Sequence, residues 1–273
     1  MSTYDEMLAR YQQSPSTATP NAEQEVMQQI ALAGLQRGGF FDHAAFYGGT
    51  CLRLFHNLPR FSEDMDFSLI EKRDDIHIEN YFPAIIEEFQ LAGHEVSIVK
   101  KDKKAFGRVE SAFLKENTEA YDIKFMTKKT VKVKIELDTD PPLEFSTEHK
   151  MLMQPYSFIT RCFTLPDLYA GKMHALIYRA WQRRIKGRDW FDFEWYVRYN
   201  IPLDFRHLQA RIREFSGNDI DKQAFITLLK EKLSTTNIDD VKADVITYIE
   251  DKSVLDIWST DYFLQLADRI HFL

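Results

Sequence analysis

Between Val131 and Pro142 the chain reads VKVKIELDTDPP, and this alternation limits the fold more than any other feature. Successive side chains of a strand point to opposite faces. Val131, Val133, Ile135 and Leu137 therefore form an apolar side, and Lys132, Lys134, Glu136 and Asp138 a charged one. Such a segment belongs in a sheet that buries one face. Phe61 to Ile70 alternates in the same way, so that Asp64 and Asp66 point together while Met65 and Phe67 point to the other side.

The remaining segments place these strands in context. Val26, Ile30, Leu32 and Leu35 approximate helical spacing before Gly38-Gly39 and predict a helix over Ala22 to Arg37. Leu52, Leu54 and Phe55 predict a short helix after Gly48-Gly49, and a longer one is expected over Ile76 to Leu91. Glu95 to Val99, Ala105 to Leu114, Tyr121 to Phe125 and Thr130 to Leu137 are β-rich. Everything after Pro166 reads as helix, opened by the capping box Thr164-x-x-Asp167 with Pro166 in the first turn. The expected fold class is α+β: a mixed β-sheet core with flanking helices, followed by an α-helical C-terminal domain. The expected division is a loose arm rich in Ser, Thr, Pro and Gln over 1–21, an α/β core over 22–160 and a helical domain over 161–273.

Composition narrows the class. A chain of 273 residues with 44% hydrophobic content can bury a substantial core. No run of about 18 apolar residues occurs, and the start MSTYDEMLAR has no apolar segment, so a soluble, cytoplasmic protein with no membrane association is expected. Cys51 and Cys162 have no metal-ligand spacing. The net charge of -7 argues against an overall nucleic-acid coat. Basic residues are nevertheless clustered at Lys100 to Lys104, Lys124 to Lys134 and Arg179 to Arg188, and these could track a phosphate backbone or be simple solvated faces.

The segment YGGTCLRLFHNLPRFSEDMDFSL, from Tyr47 to Leu69, concentrates the chemistry. Two glycines between a strand and a helix make a plain tight turn, or else turn the amides of Gly49, Thr50 and Cys51 toward an anion. Asp64 and Asp66 make a solvated strand face or, because adjacent carboxylates repel unless a cation lies between them, a metal pair. If the two alternating strands are neighbours, Glu136 completes a three-carboxylate site for Mg²⁺, with Asp138 as the spare; otherwise Val131 to Leu137 is a charge-protected edge. Later, Lys172, Arg179 and Arg183 lie near one face of the helix that Thr164 opens, and Asp189 could cap the next helix. Aromatics in DWFDFEWYVRY fit helical packing.

The order G-G-T-x-L-R-L, R-F-S-E-D-M-D-F, K-I-E-L-D-T, then a lysine helix and R-D-W-F-D, resembles the AbiEii/AbiGii toxin family of nucleotidyltransferases, relatives of the mycobacterial MenT toxins. The resemblance spans roughly Phe41 to Val197. It implies a DNA-polymerase-β-like nucleotidyltransferase fold, an NTP substrate and Mg²⁺, or Mn²⁺ in its place. By position, Gly48, Gly49 and Thr50 would cradle the nucleotide phosphates, and Asp64 and Asp66 would ligate the metal. Arg53 and Arg60 would contact phosphate, and Ser62 would support the loop. The second motif falls on Lys134 and Glu136, with Glu where Asp is frequent. Lys172 matches the family's functional lysine and Asp189 its functional aspartate, with Asp192 beside it. The resemblance also implies the toxin half of a toxin-antitoxin or phage-defence (abortive infection) operon, a cognate antitoxin protein, and tRNA or other RNA as acceptor. A protein or small-molecule hydroxyl is the alternative acceptor, and a non-catalytic nucleotide- or antitoxin-binding module the alternative role.

Overall fold

A computed structural model of the chain describes residues 1–12, 19–101, 118–126, 131–179 and 185–273. The chain divides into two compact units. The first comprises Met1–Asn57, Phe61–Leu143 and Thr147–Phe163; the second comprises Leu58–Arg60, Glu144–Ser146 and Thr164–Leu273.

In the first unit, helices α1 (Thr3–Gln12) and α2 (Thr19–Arg37) precede strand β1 (Ala44–Tyr47), helix α3 (Gly48–His56) and strand β2 (Asp64–Leu69). A 3₁₀ turn (Ile78–Tyr81), helix α4 (Phe82–Leu91) and strands β3 (Val96–Lys100), β4 (Thr118–Phe125), β5 (Lys132–Asp138), β6 (Thr147–Leu152) and β7 (Phe158–Phe163) follow. The seven strands form one mixed sheet in the order β3-β4-β5-β2-β1-β7-β6. β2 is central, antiparallel to β1 and parallel to β5. Met65, Phe67, Ile135 and Leu137 are fully buried, so the apolar sides of β2 and β5 supply core. α2 packs on α4 and reaches β5 and β7. Gly34 permits the first contact, because a Cβ there would stand 2.6 Å from Ile85 Cα.

The second unit is helical among the described residues: α5 (Leu165–Tyr178), α6 (Gly187–Arg198), α7 (Phe205–Ser216), α8 (Lys222–Thr235), α9 (Ile238–Val245) and α10 (Thr260–Ala267). Asp204, Asp221, Asn237 and Ser259 cap α7 to α10 by accepting from His207, Ala224, Asp239 and Tyr262 amides. Its core is aromatic. Tyr169 and Tyr196 stack at 4.2 Å and 9°, and Trp190 meets Phe263 edge-on at 4.8 Å. No helix of the described residues is long and apolar enough to cross a membrane.

Several expectations need correction. The arm expected to be loose over 1–21 contains α1, held by Tyr4 and Met7, which are 1% and 2% exposed. Tyr4 packs edge-on against His94 and Phe125. The helix expected over Ile76 to Leu91 is a 3₁₀ turn followed by α4, with Pro83 in the first turn of the latter, where a missing amide costs nothing. β6 and β7 were not anticipated. The strand expected over Ala105 to Leu114 lies outside the described residues. Thr164 is the N-cap of α5, but its hydroxyl donates to Asp167 Oδ2 at 2.5 Å rather than accepting a backbone amide.

Gly48 joins β1 to α3 at φ +83°, where side chains are strained, and a Cβ would stand 3.0 Å from Asp66 Cγ. Gly48→Ala is expected to cost about 2 kcal/mol in chemical denaturation, through left-handed strain plus displacement of the Asp66 carboxylate.

Candidate active site

Parallel pairing sets Asp64 opposite Lys134, Asp66 opposite Glu136 and Ser68 opposite Asp138. Partners in register share a face, so two acids of β2 lie beside a lysine and an acid of β5. Antiparallel pairing continues the row to β1, with Tyr47 opposite Asp66, and to β4, with Asp122 opposite Lys134. α3 begins at the end of β1, against β2. The Thr50 hydroxyl is buried and donates to the Asp64 carbonyl, while Gly48 makes room for Asp66. α2 holds the approach to β2: Gln28 Nε2 donates to the carbonyls of Ser62 at 2.9 Å and Glu63 at 3.1 Å, and Gln24 Nε2 donates to Lys132 O at 3.0 Å.

The electrostatics of the row centre on Lys134. Its ammonium is ion-paired with Glu136. Burial opposes its charge, but attraction from Asp64, Glu136 and Asp66 prevails and raises its pKa above the ordinary lysine value. Three carboxylates therefore act on one cation. Their oxygens are not gathered to metal-binding separation: among the described residues the one set of three His, Cys, Asp or Glu donors within 4.8 Å is His77, Glu79 and Glu119. Asp138 is 6% exposed and accepts from the Asp140 amide at 3.2 Å. Arg53 donates to Glu25 at 2.8 Å, with its guanidinium 4.6 Å over the Phe61 ring.

An ion network occupies the second unit. Lys172 Nζ lies 2.7 Å from Asp192 Oδ2 and 3.4 Å from Asp189 Oδ1, and Arg179 Nη1 lies 2.8 Å from Asp189 Oδ2. Arg60 clamps Asp192 through Nε and Nη2, both at 2.6 Å. Arg60 was expected to contact phosphate; at 1% exposure and committed to a buried carboxylate, it instead orients Asp192, which in turn holds Lys172. Asp189 does not cap α6, whose N-cap is Lys186. Burial disfavours its ionisation, yet Arg179 and Lys172, then Lys186 and Arg188, hold its pKa at about 2. Burial opposes ionisation of Asp192 too, and Arg60 and Lys172 keep it below the ordinary carboxylate range. Arg183 of the expected basic stripe lies outside the described residues. Trp190, Phe193 and Tyr196 are fully buried, so these aromatics pack.

The basic clusters are only partly described, since residues 102–104, 127–130 and 180–184 fall outside. In the first unit Lys101, Lys124 and Lys132 surround Asp122 at 3.3, 4.0 and 3.3 Å. Lys124 and Lys132 are paired in register on the same face as Asp122 and Lys134, so positive charge continues from the carboxylate row. Sequence reasoning missed Glu25, Gln24 and Gln28. Their signal was a set of polar residues within an otherwise apolar helix.

Comparison with solved structures shows the fold of nucleotidyltransferases. MenT4, the nucleotidyltransferase toxin Rv2826c from Mycobacterium tuberculosis H37Rv, matches with TM-score 0.57 and 15% identity over 97% of this chain and 93% of its own. A candidate nucleotidyltransferase from H. pylori matches at 0.53 and 17%, over 93% and 96%, and JHP933 from Helicobacter pylori at 0.52 and 17%, over 92% and 91%. No curated protein matches. The family model described as nucleotidyl transferase AbiEii toxin, type IV TA system, matches residues 30–268, and the chain belongs to that family. It is thus a nucleotidyltransferase of the toxin class, which implies an NTP substrate and an antitoxin partner.

Two predictions follow from the ion network. Arg60→Ala leaves Asp192 buried beside Lys172 alone and is expected to cost about 3 kcal/mol in denaturant unfolding, with Asp192→Asn recovering part of that loss in the double variant. Asp189 carries a lower pKa folded than its ordinary 3.8, so its contribution is present above pH 4 and lost as pH falls toward 2. Acid unfolding curves should lose about 2 kcal/mol across that window, and Asp189→Asn should flatten it.

Proposed function

We propose that this chain transfers an NMP group from an NTP to RNA, with tRNA as the first candidate, and that Asp64, Asp66 and Glu136 hold Mg²⁺ for the reaction. The observation that carries the reading is the register of β2 on β5, which sets Asp66 against Glu136 on the face that also bears Asp64. The donor set fits the ion: three hard oxygen donors suit Mg²⁺, and Lys134 supplies the cation they attract in its place. When bound, Mg²⁺ supplies charge neutralisation on the triphosphate and activation of the attacking hydroxyl. The chain's residues do the rest. Gly48 and Gly49 are assigned to the close approach of phosphate at the start of α3. Lys134, released from the acids, remains beside the row as a cation for the phosphates. A carboxylate of the row, Asp66 or Glu136, takes the proton of the incoming ribose hydroxyl as its oxygen attacks the α-phosphorus and pyrophosphate departs.

The resemblance assigns Lys172 to the developing charge, and its pairing with Asp192 and Asp189 supports that role by fixing its ammonium. An RNA acceptor is supported by the lysines around Asp122, which place three positive charges near one acid on the face of the carboxylate row.

The test is transfer of label from each α-labelled NTP to total tRNA, resolved on a denaturing gel. Label is expected on RNA with Mg²⁺, reduced at least about 10²-fold in Asp66→Ala and in Lys172→Ala. Lys124→Ala with Lys132→Ala should weaken RNA binding and lower its salt slope by about 2. An unlabelled RNA lane with every NTP, or full transfer by Asp66→Ala, would sink the reading.

A further inference from the structure

A second group of metal-binding side chains lies on the other face of the sheet. Ala120 of β4 is opposite Glu136, and Glu119 is opposite Leu137, so Glu119 shares the face of Leu137 and points away from the carboxylate row. His77 and Glu79, from the start of the 3₁₀ turn, meet it there: one donor atom each from His77, Glu79 and Glu119 lies within 4.8 Å of the others.

The surroundings account for only half of this acid pair. Tyr121 donates its hydroxyl to Glu79 Oε1, and Lys100 Nζ lies 3.2 Å from the same oxygen. The Ile78 amide donates to the Glu119 carboxylate, and one oxygen of each acid, Glu79 Oε2 and Glu119 Oε2, is shut off from water without a hydrogen-bond partner among the described residues. A buried carboxylate oxygen with no donor is costly, and two facing acids add repulsion. Burial and then Glu79 push the Glu119 carboxyl above the ordinary range. A cation between these oxygens would relieve both penalties. His77 is exposed, so its imidazole is free to turn toward such an ion and leaves a side open to solvent.

We propose that His77, Glu79 and Glu119 form a transition-metal site, distinct from the Mg²⁺ site, that takes Zn²⁺ through one imidazole nitrogen and two carboxylate oxygens. Three protein ligands leave a fourth position for water. The nitrogen donor selects against Mg²⁺, which prefers an all-oxygen shell. Tyr121 and Lys100 act behind the ligand shell, holding Glu79 by Oε1 and leaving Oε2 for the ion. Occupation would tie the 3₁₀ turn to β4.

The site is tested by calorimetric titration of Zn²⁺ into the whole protein in millimolar Mg²⁺, with melting temperature as a second readout. One equivalent is expected to bind and to raise the melting temperature. His77→Ala, an exposed change that should leave the fold intact, and Glu119→Gln should each weaken binding at least tenfold and remove the thermal shift. Asp66→Asn should bind Zn²⁺ as the wild type does, which separates this site from the proposed catalytic acids. Absence of binding, or binding unchanged in both His77→Ala and Glu119→Gln, would overturn the assignment. Loss in Asp66→Asn alone would overturn it as well and move the zinc to the carboxylate row.

Discussion

Parallel pairing of β2 with β5 is the interaction on which the site proposed in the first unit depends. A slip of one residue would turn every side chain of a strand to the other face, so register is held by burial. Met65 and Phe67 on β2 and Ile135 and Leu137 on β5 are fully buried, and they can be so only if Asp64, Asp66, Lys134 and Glu136 emerge on the opposite side. The hydrophobic effect thus aligns the acids. Four large apolar side chains, each stabilising by roughly 1.5–3 kcal/mol when buried, outweigh the repulsion of three carboxylates that share one ammonium. The proposed site lies on the back of the core.

The second unit solves a related problem with charge instead of apolar area. Asp189 and Asp192 are buried on α6, and each would be expensive alone. Arg60, Lys172 and Arg179 supply three cations to two acids, so the network carries net positive charge with Lys172 at its centre. Arg60 belongs to this unit although it stands in sequence just before β2. Rigidity of the lysine follows from that chain of contacts: Arg60 fixes Asp192 bidentately, and Asp192 takes Lys172 at 2.7 Å.

Alternation made β2 and β5 legible in the sequence, along with the face on which each acid lies. Their adjacency was not, because strand neighbours separated by about seventy residues leave no local mark. β6 escaped notice for a different reason: it is the sheet's edge, and its residues alternate only between exposed and partly exposed, so no apolar stripe announces it. α1 is anchored by Tyr4 and Met7, two side chains in a polar segment, too few for a periodic signal. The motif residues Asp64, Asp66, Glu136, Lys172 and Asp189 could all be named in advance from the order of motifs. Partners such as Glu25 and Gln28 could not, and Arg60 was named only for a phosphate contact, since their roles are set by what the tertiary fold brings to them. Gly48 was legible as a turn, but its need to admit Asp66 emerges only from β1 lying against β2.

The most direct test of the carboxylate row is calorimetric binding of an NTP analogue that cannot be cleaved between its α- and β-phosphates, with and without Mg²⁺, to the wild type and to Asp64→Asn, Asp66→Asn and Glu136→Gln. If β2 and β5 build the nucleotide-metal site, Mg²⁺ strengthens binding to the wild type and that gain disappears in all three variants. An undiminished Mg²⁺ effect in the three variants would contradict the account and place the nucleotide elsewhere on the chain.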